Sequence, residues 1–486
     1  MPEPAVDPRR WWALGLLCGA FFMVILDAAI VIVALPSIDS ALGFSVQGLQ
    51  WVISAYALTF GGLLLLGGRA ADLLGRRRMF MVGVLMFTAA SLVCGLASSP
   101  AGLVTARAAQ GVGAALMTPT ALSIIATTFQ EGAERNKALG IWAMLGGLGG
   151  TSAWLIGGPL VDGPGWEWIF FINIPIGLAA LALSPVLLHE SRAATTRRSY
   201  DPLGALTVTG ALALLVYAIV EAPDAGWADA QTILVVTAAA VLLGGFAAIE
   251  SRAKAPLMPL RFLRSRIRVG ASLAMLLAGT LVWGMTFTLT LYAQQVLGFS
   301  ALKFGVSSAV MPIGAAIGSM LGQSIVLKVG FRPVAVVGLG LMGAGSFALT
   351  QVSVDGSYID DLFLGLLLFG PGLGATFVTA SIGALVDVAD RDSGLASGLS
   401  NTAWMIGGAL GTALASSVAV SRAQDYLAAK PGANPLVALT EGSQSAFWAC
   451  VVVAVVGVLV ALLLLGRPRR AAENRLQPAS AEVASE

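Results

Sequence analysis

The chain is 486 residues long, 57% hydrophobic and 11% charged, with a net charge of +2. Soluble domains carry roughly 25% charged residues, so a water-exposed globular fold is excluded for most of its length. The near-neutral balance, with charges clustered between apolar runs, gives no footing for nucleic-acid binding.

Cys18, Cys94 and Cys450 all lie in apolar runs, and His189 is the single histidine. This pattern suggests neither a disulfide framework nor a metal site, and no cofactor is expected. Arg9 and Arg10 precede an apolar run from Trp11 to Leu35. That run exceeds a signal-peptide core of about 7–15 residues and reads as a first membrane helix.

Crossing a hydrocarbon layer of about 30 Å takes roughly 20 apolar residues in a helix. In chain order, this rule predicts spans near 12–35, 49–68, 79–98, 102–129, 138–160 and 168–188. Two follow at 203–222 and 231–249. Six more lie near 269–293, 302–327, 334–351, 362–386, 395–420 and 446–466. With the N-terminus inside, the inside segments hold 24 Lys and Arg residues and the outside loops hold 3, namely Lys303, Arg422 and Lys430. That asymmetry is the positive-inside pattern and supports an even number of spans with both termini cytoplasmic.

The expected fold is therefore an all-α membrane protein of 14 transmembrane helices, two six-helix bundles plus a two-helix insert. Its predicted parts are a cytoplasmic N-terminus (1–10), an N-terminal bundle (11–188), a loop (189–202) and an inserted hairpin (203–250). A basic linker (251–268), a C-terminal bundle (269–466) and a polar cytoplasmic tail (467–486) complete it. A faint internal repeat agrees: Gly75 and Arg77 after the second span are echoed by Gly330 and Arg332 after the tenth, with Leu327 where Asp72 stands.

Asp27 is the only acid well inside a predicted span, about 22 Å along the helix from Trp12. A carboxylate at the membrane centre costs roughly 2.5–3.5 kcal/mol on insertion scales, and such residues usually line a pathway. It can carry a proton or serve as a structural hydrogen-bond acceptor. Arg107, also within a span, stays charged and must be paired or hydrated. Gln110 and Gly111 share its helix face. Arg107 can tune a carboxylate such as Asp27, or bond backbone carbonyls to lock the bundle.

Gly68-x-x-x-Asp72-x-x-Gly75-Arg76-Arg77 allows a tight basic turn, and it resembles the loop signature of the major facilitator superfamily. Leu26-Asp27-x-x-Ile30-x-x-x-Ala34-Leu35-Pro36 resembles the first-helix signature of that superfamily's 14-helix drug:proton antiporters. Leu103-x-x-x-Arg107-x-x-Gln110-Gly111-x-Gly113 and Trp168-Ile-Phe-Phe-Ile-Asn173-Ile-Pro175-Ile-Gly177 are similar to its fourth- and sixth-helix motifs. Two features depart from the pattern. Ala29 and Ile32 replace polar residues around Asp27, and the fifth-helix antiporter motif reads Gly149-x-x-x-Ala153-Trp154-x-x-Gly157-Gly158, without its proline.

The resemblance implies a conformational-switch loop at Gly68, Asp72, Gly75, Arg76 and Arg77, and proton coupling through Asp27 and Arg107. It also implies a small-molecule substrate, protons as partners and a home in the bacterial inner membrane, with the chain working as a monomer. Polar and aromatic residues expected to face the cavity are Tyr56, Gln110, Trp142, Asn173, Trp283, Tyr292, Gln294, Gln323, Phe377, Asn401 and Trp404. The function implied is proton-coupled export of hydrophobic, often cationic, compounds. The alternatives are an importer or narrow metabolite transporter of the same fold, and an enzyme or receptor. No nucleotide-binding loop or nucleophile motif supports the last.

Overall fold

The computed structural model describes residues 9–129, 132–192, 201–253, 265–386, 388 and 393–466. Most of the predicted basic linker, the loop arginines Arg197 and Arg198, Arg391 and the polar tail from 467 lie outside the described residues.

The helices in chain order begin with α1 (Arg10–Leu42), α2 (Val46–Leu49), α3 (Trp51–Leu74), α4 (Arg76–Gly95), α5 (Pro100–Thr128) and α6 (Ala133–Asp162). Then come α7 (Trp168–Phe171), α8 (Asn173–Leu187), α9 (Pro202–Ala225), α10 (Ala230–Arg252) and α11 (Arg266–Leu291), which continues into a π-turn at Tyr292–Val296. The chain ends with α12 (Ala301–Ser308), α13 (Val310–Val329), α14 (Phe331–Leu349), α15 (Leu364–Ala384), α16 (Ser393–Ala429) and α17 (Pro435–Leu464). A second π-turn, Tyr358–Phe363, leads into α15. Among the described residues the chain forms no strand.

Thirteen of these segments are long and apolar enough to cross a membrane. The fourteenth predicted span lies in α6, whose 30 residues suffice in length. Beyond its charged start (Glu134, Arg135, Lys137), the stretch 139–156 carries no charged residue. Prolines account for two breaks within the predicted spans, while α1 runs on past Pro36 to Leu42. The tenth span breaks into α12 and α13 just before Pro312, whose ring removes a helical N–H and crowds the preceding turn. The sixth breaks at Ile172, so that Pro175 falls in the first turn of α8, where its missing N–H is harmless.

Two groups of helices pack around the core. The N-terminal group is α1 with α3–α6 and α8, and the C-terminal group is α11–α17. They meet along three seams: α3 on α16, α6 on α12, and α1 on α11. Helix α9 lies against both α3 and α16, while α10 packs on α9 and leaves most of its surface, including Leu234 and Val241, exposed.

Gly75 joins α3 to α4, whose first residues are Arg76, Arg77 and Arg78, and this turn marks what we term the basic end. Asp72 pairs with Arg76 one turn later, Oδ1 to Nη2 at 2.9 Å. Gly75 sits at φ +114°, a backbone conformation that side chains rarely adopt, and a Cβ there would lie 2.7 Å from Glu190 Oε1. Glu190 accepts from the Arg77 amide at 3.2 Å and faces Arg78 Nε at 3.6 Å, while the Arg76 amide donates to the Ser191 carbonyl. The predicted switch loop therefore clasps the chain leaving α8.

Candidate functional site

The charge pair forms inside the N-terminal group, with no exposure to solvent. Asp27 projects from the middle of α1 and Arg107 from α5, and Arg107 Nη1 donates to Asp27 Oδ2 at 2.5 Å. The other carboxylate oxygen accepts from two amides, Gln110 Nε2 at 2.7 Å and Asn173 Nδ2 at 2.8 Å. Three side chains from two helices, α5 and α8, thus donate to one carboxylate, which is how an ion buried without water is satisfied.

Arg107 is held from the other side as well. Its Nε donates to the Val52 carbonyl of α3 at 3.0 Å, and Nη1 also reaches Gln110 Oε1 at 2.6 Å. The guanidinium lies 4.3 Å from the centre of the Tyr56 ring and 5.8 Å from that of Phe170, a geometry that favours a desolvated cation. Tyr56, Gln110 and Asn173, expected to face a substrate cavity, are instead fully buried around this pair.

The sequence reading missed Ser91. Its single hydroxyl proton goes to the Phe87 carbonyl at 2.9 Å, so its oxygen is left to accept, from Gln110 Nε2 at 2.8 Å and Asn173 Nδ2 at 3.4 Å. Both amides that serve Asp27 are therefore aimed by one serine of α4. Its sequence signal is weak, because a lone serine in an apolar span most often bonds only its own helix.

The seam between the groups is sealed at the end opposite the basic loops. On α1, Ile30 to Leu35 are all buried, and on α11 so are Ala278 to Thr290. Towards the basic end both helices loosen: Phe21, Phe22, Ile25 and Ala29, and Leu276 and Leu277, are only half-buried. Polar links cross the sealed part. Gln294 Nε2 donates to the Val33 carbonyl at 2.9 Å, and Asp162 accepts from the Ala301 and Leu302 amides at 3.2 and 2.9 Å. The Asp162 carboxylate thus caps α12, whose free N–H groups and dipole favour a negative charge.

The altered fifth-helix motif lies on this seam. A Cβ on Gly158 would sit 2.4 Å from Leu302 Cα, and one on Gly305 would sit 2.1 Å from the Trp154 carbonyl oxygen. The Trp154 ring meets Phe304 edge-on at 5.4 Å. Gly149 and Gly157 face Ile25 and Ile30 of α1, and Ala153 is buried. Because the obstructing atom at Gly305 is backbone, Gly305→Val is expected to hold the seam open. The folded variant should show at least a tenfold loss of transport, and labels placed across α6 and α12 should move apart by a few ångströms. An unchanged label distance would contradict the close approach.

The remaining predicted cavity residues scatter. Trp142 stacks on Phe21 at 4.1 Å, and Phe377 meets Trp404 edge-on at 5.3 Å, both in the half nearer the basic end. Trp283 packs over Gly408. Tyr292 is tied into a loop at the sealed end, its hydroxyl donating to Asp361 Oδ2 or the Ser353 carbonyl at 2.7 and 2.6 Å. Gln323 and Asn401 are exposed.

A bundle of membrane-length helices, parted along a seam that is shut at one end, is the architecture of a multi-pass membrane transporter and not of an enzyme. The family model described as the Major Facilitator Superfamily matches residues 17–412, and the chain belongs to that superfamily. It is 37% identical to a puromycin resistance protein of Streptomyces alboniger over 94% of this chain and 91% of that one. It is 35% identical to a tetracenomycin C resistance and export protein of Streptomyces glaucescens, covering 87% and 78% of the two chains. Among solved structures it resembles a bacterial homologue of the human lysosomal transporter Spinster, with a TM-score of 0.68 at 18% identity over 94% and 97% of the chains.

Proposed function

We propose that this chain is a proton-coupled antiporter that exports hydrophobic, often cationic, small molecules from a bacterial cell by alternating access. The observation that carries the reading is the sealed Asp27–Arg107 pair with its amide donors, the one carboxylate held deep within a span among the described residues. A carboxylate is stabilised as an anion by a neighbouring cation and by hydrogen-bond donors, and as a neutral acid by burial without them. Movement of α1 against α5 would exchange one environment for the other, so that Asp27 takes a proton when Arg107 withdraws and yields it when the pair re-forms.

The export direction is supported by the resistance and export roles named for the relatives. In this reading the two helix groups are six-helix halves and α9–α10 an inserted hairpin. The basic end is cytoplasmic by the positive-inside pattern, which puts both termini in the cytoplasm of an inner-membrane protein that acts as a monomer. The aromatic pairs Phe21–Trp142, with the indole buried, and Phe377–Trp404, with the phenyl ring exposed, offer flat apolar surfaces near the basic end. A narrower or inward-directed transporter is the second reading, favoured only by Ala153 and Trp154 in the fifth-helix motif.

The test is efflux from cells expressing the protein, using puromycin, an aromatic polyketide and the lipophilic cation ethidium, with and without a protonophore. Export of at least one compound that stops when the proton gradient collapses is the expected result. Export that persists unchanged would remove proton coupling.

A further inference from the structure

Helix α9 does more than sit beside the bundle. Leu212, Val216 and Val220, one turn apart on a single face, are buried in the same apolar core as both helix groups. Thr209, on the preceding turn, meets α3 so closely that a Cβ on Gly62 would lie 2.2 Å from its Oγ1. The same helix runs along α16. It therefore lies over the seam where α3 and α16 meet.

At the far end of α9 the bridge becomes polar. Asp224 Oδ2 accepts from Gln47 Nε2 at 3.1 Å, and Asp224 Oδ1 accepts from Gln424 Nε2 at 2.9 Å. Gln47 belongs to α2, at the entry to α3, and Gln424 to the last turns of α16. One carboxylate thus holds both sides of the seam, at the sealed end. Deeper in, two hydroxyl contacts also link α3 and α16, Ser54 to the Ala409 carbonyl at 3.4 Å and Thr402 to the Gly61 carbonyl at 3.1 Å.

We propose that α9 is a strap across the α3–α16 seam and that Asp224 is its clasp, favouring the conformation closed at this end and open at the basic end. A side chain as short as aspartate can reach both glutamines only while the two helix ends stay together. Parting them by a few ångströms must break at least one of the two charge-assisted bonds. This role rests on alternating access at the seam and not on Asp27 carrying a proton.

The experiment is a distance measurement on the full chain in lipid nanodiscs. Spin labels at Ser98→Cys and Lys430→Cys, both exposed at this end on opposite helix groups, report its opening. Asp224→Ala is expected to raise the long-distance population on the order of threefold to tenfold, as loss of two exposed hydrogen bonds allows. If that variant fails to accumulate, the Gln47→Ala/Gln424→Ala double variant removes the same bonds and must give the same rise. A distribution identical to that of the parent in whichever variant folds would overturn the clasp. A parent confined to one distance at every pH and with every transported compound would overturn both the clasp and alternating access.

Discussion

Asp27→Asn is expected to abolish uphill transport while leaving downhill exchange. Asparagine matches aspartate in shape, and its carbonyl can still accept from an amide or from Arg107. Arg107 would keep the Val52 carbonyl, Gln110 and the Tyr56 ring as partners. The carboxamide cannot carry a proton, so the step that ties substrate movement to the gradient is lost. Purified protein in liposomes with an imposed pH gradient should lose accumulation to background, at least a tenfold drop. Counterflow of substrate between loaded and unloaded vesicles should persist. Full gradient-driven accumulation by the variant would exclude Asp27 as the coupling residue.

The second large effect concerns Arg107. Removing one member of a buried ion pair leaves an uncompensated charge and costs about 3–5 kcal/mol. Arg107→Leu should therefore lower the thermal midpoint in detergent sharply and reduce the amount of folded protein. The informative comparison is with Arg107→Leu/Asp27→Asn. The second substitution removes the orphaned charge, so the double variant should regain part of the lost stability although it carries one more change. A double variant less stable than Arg107→Leu alone would mean that the two residues do not act on each other as their 2.5 Å contact requires.

The membrane-spanning character was plain from apolar length, and the charge asymmetry of the loops added a second, independent reason for the topology. Asp27 and Arg107 stood out because each was an isolated charge where charge is expensive. Their contact was not legible, since spacing along one helix says which face a residue occupies and nothing about which helix lies opposite. The same limit explains Asn173, Gln110 and Tyr56: polar and aromatic residues in a span read as cavity lining, and here they surround the pair.

Tyr292 shows a different gap. Its position at a π-turn, tied to Ser353 and Asp361 of a distant loop, depends on a local unwinding of α11 that no periodicity announces. Trp154 read as an oddity in the fifth-helix motif. Its place against Phe304, with Gly305 admitting its backbone, depends on a pairing between residues far apart in the chain. Nothing in the sequence says that Asp162 caps α12 or that Asp224 bridges α2 and α16.

The most direct measurement of proton coupling needs no membrane. Purified protein in weakly buffered detergent solution, with a pH-sensitive dye, is mixed with a compound that the efflux panel has shown to be exported. If substrate and proton compete through Asp27, binding should release up to about one proton per chain from the parent protein and none from Asp27→Asn. Equal release from both proteins, or none from either across the working pH range, would contradict it.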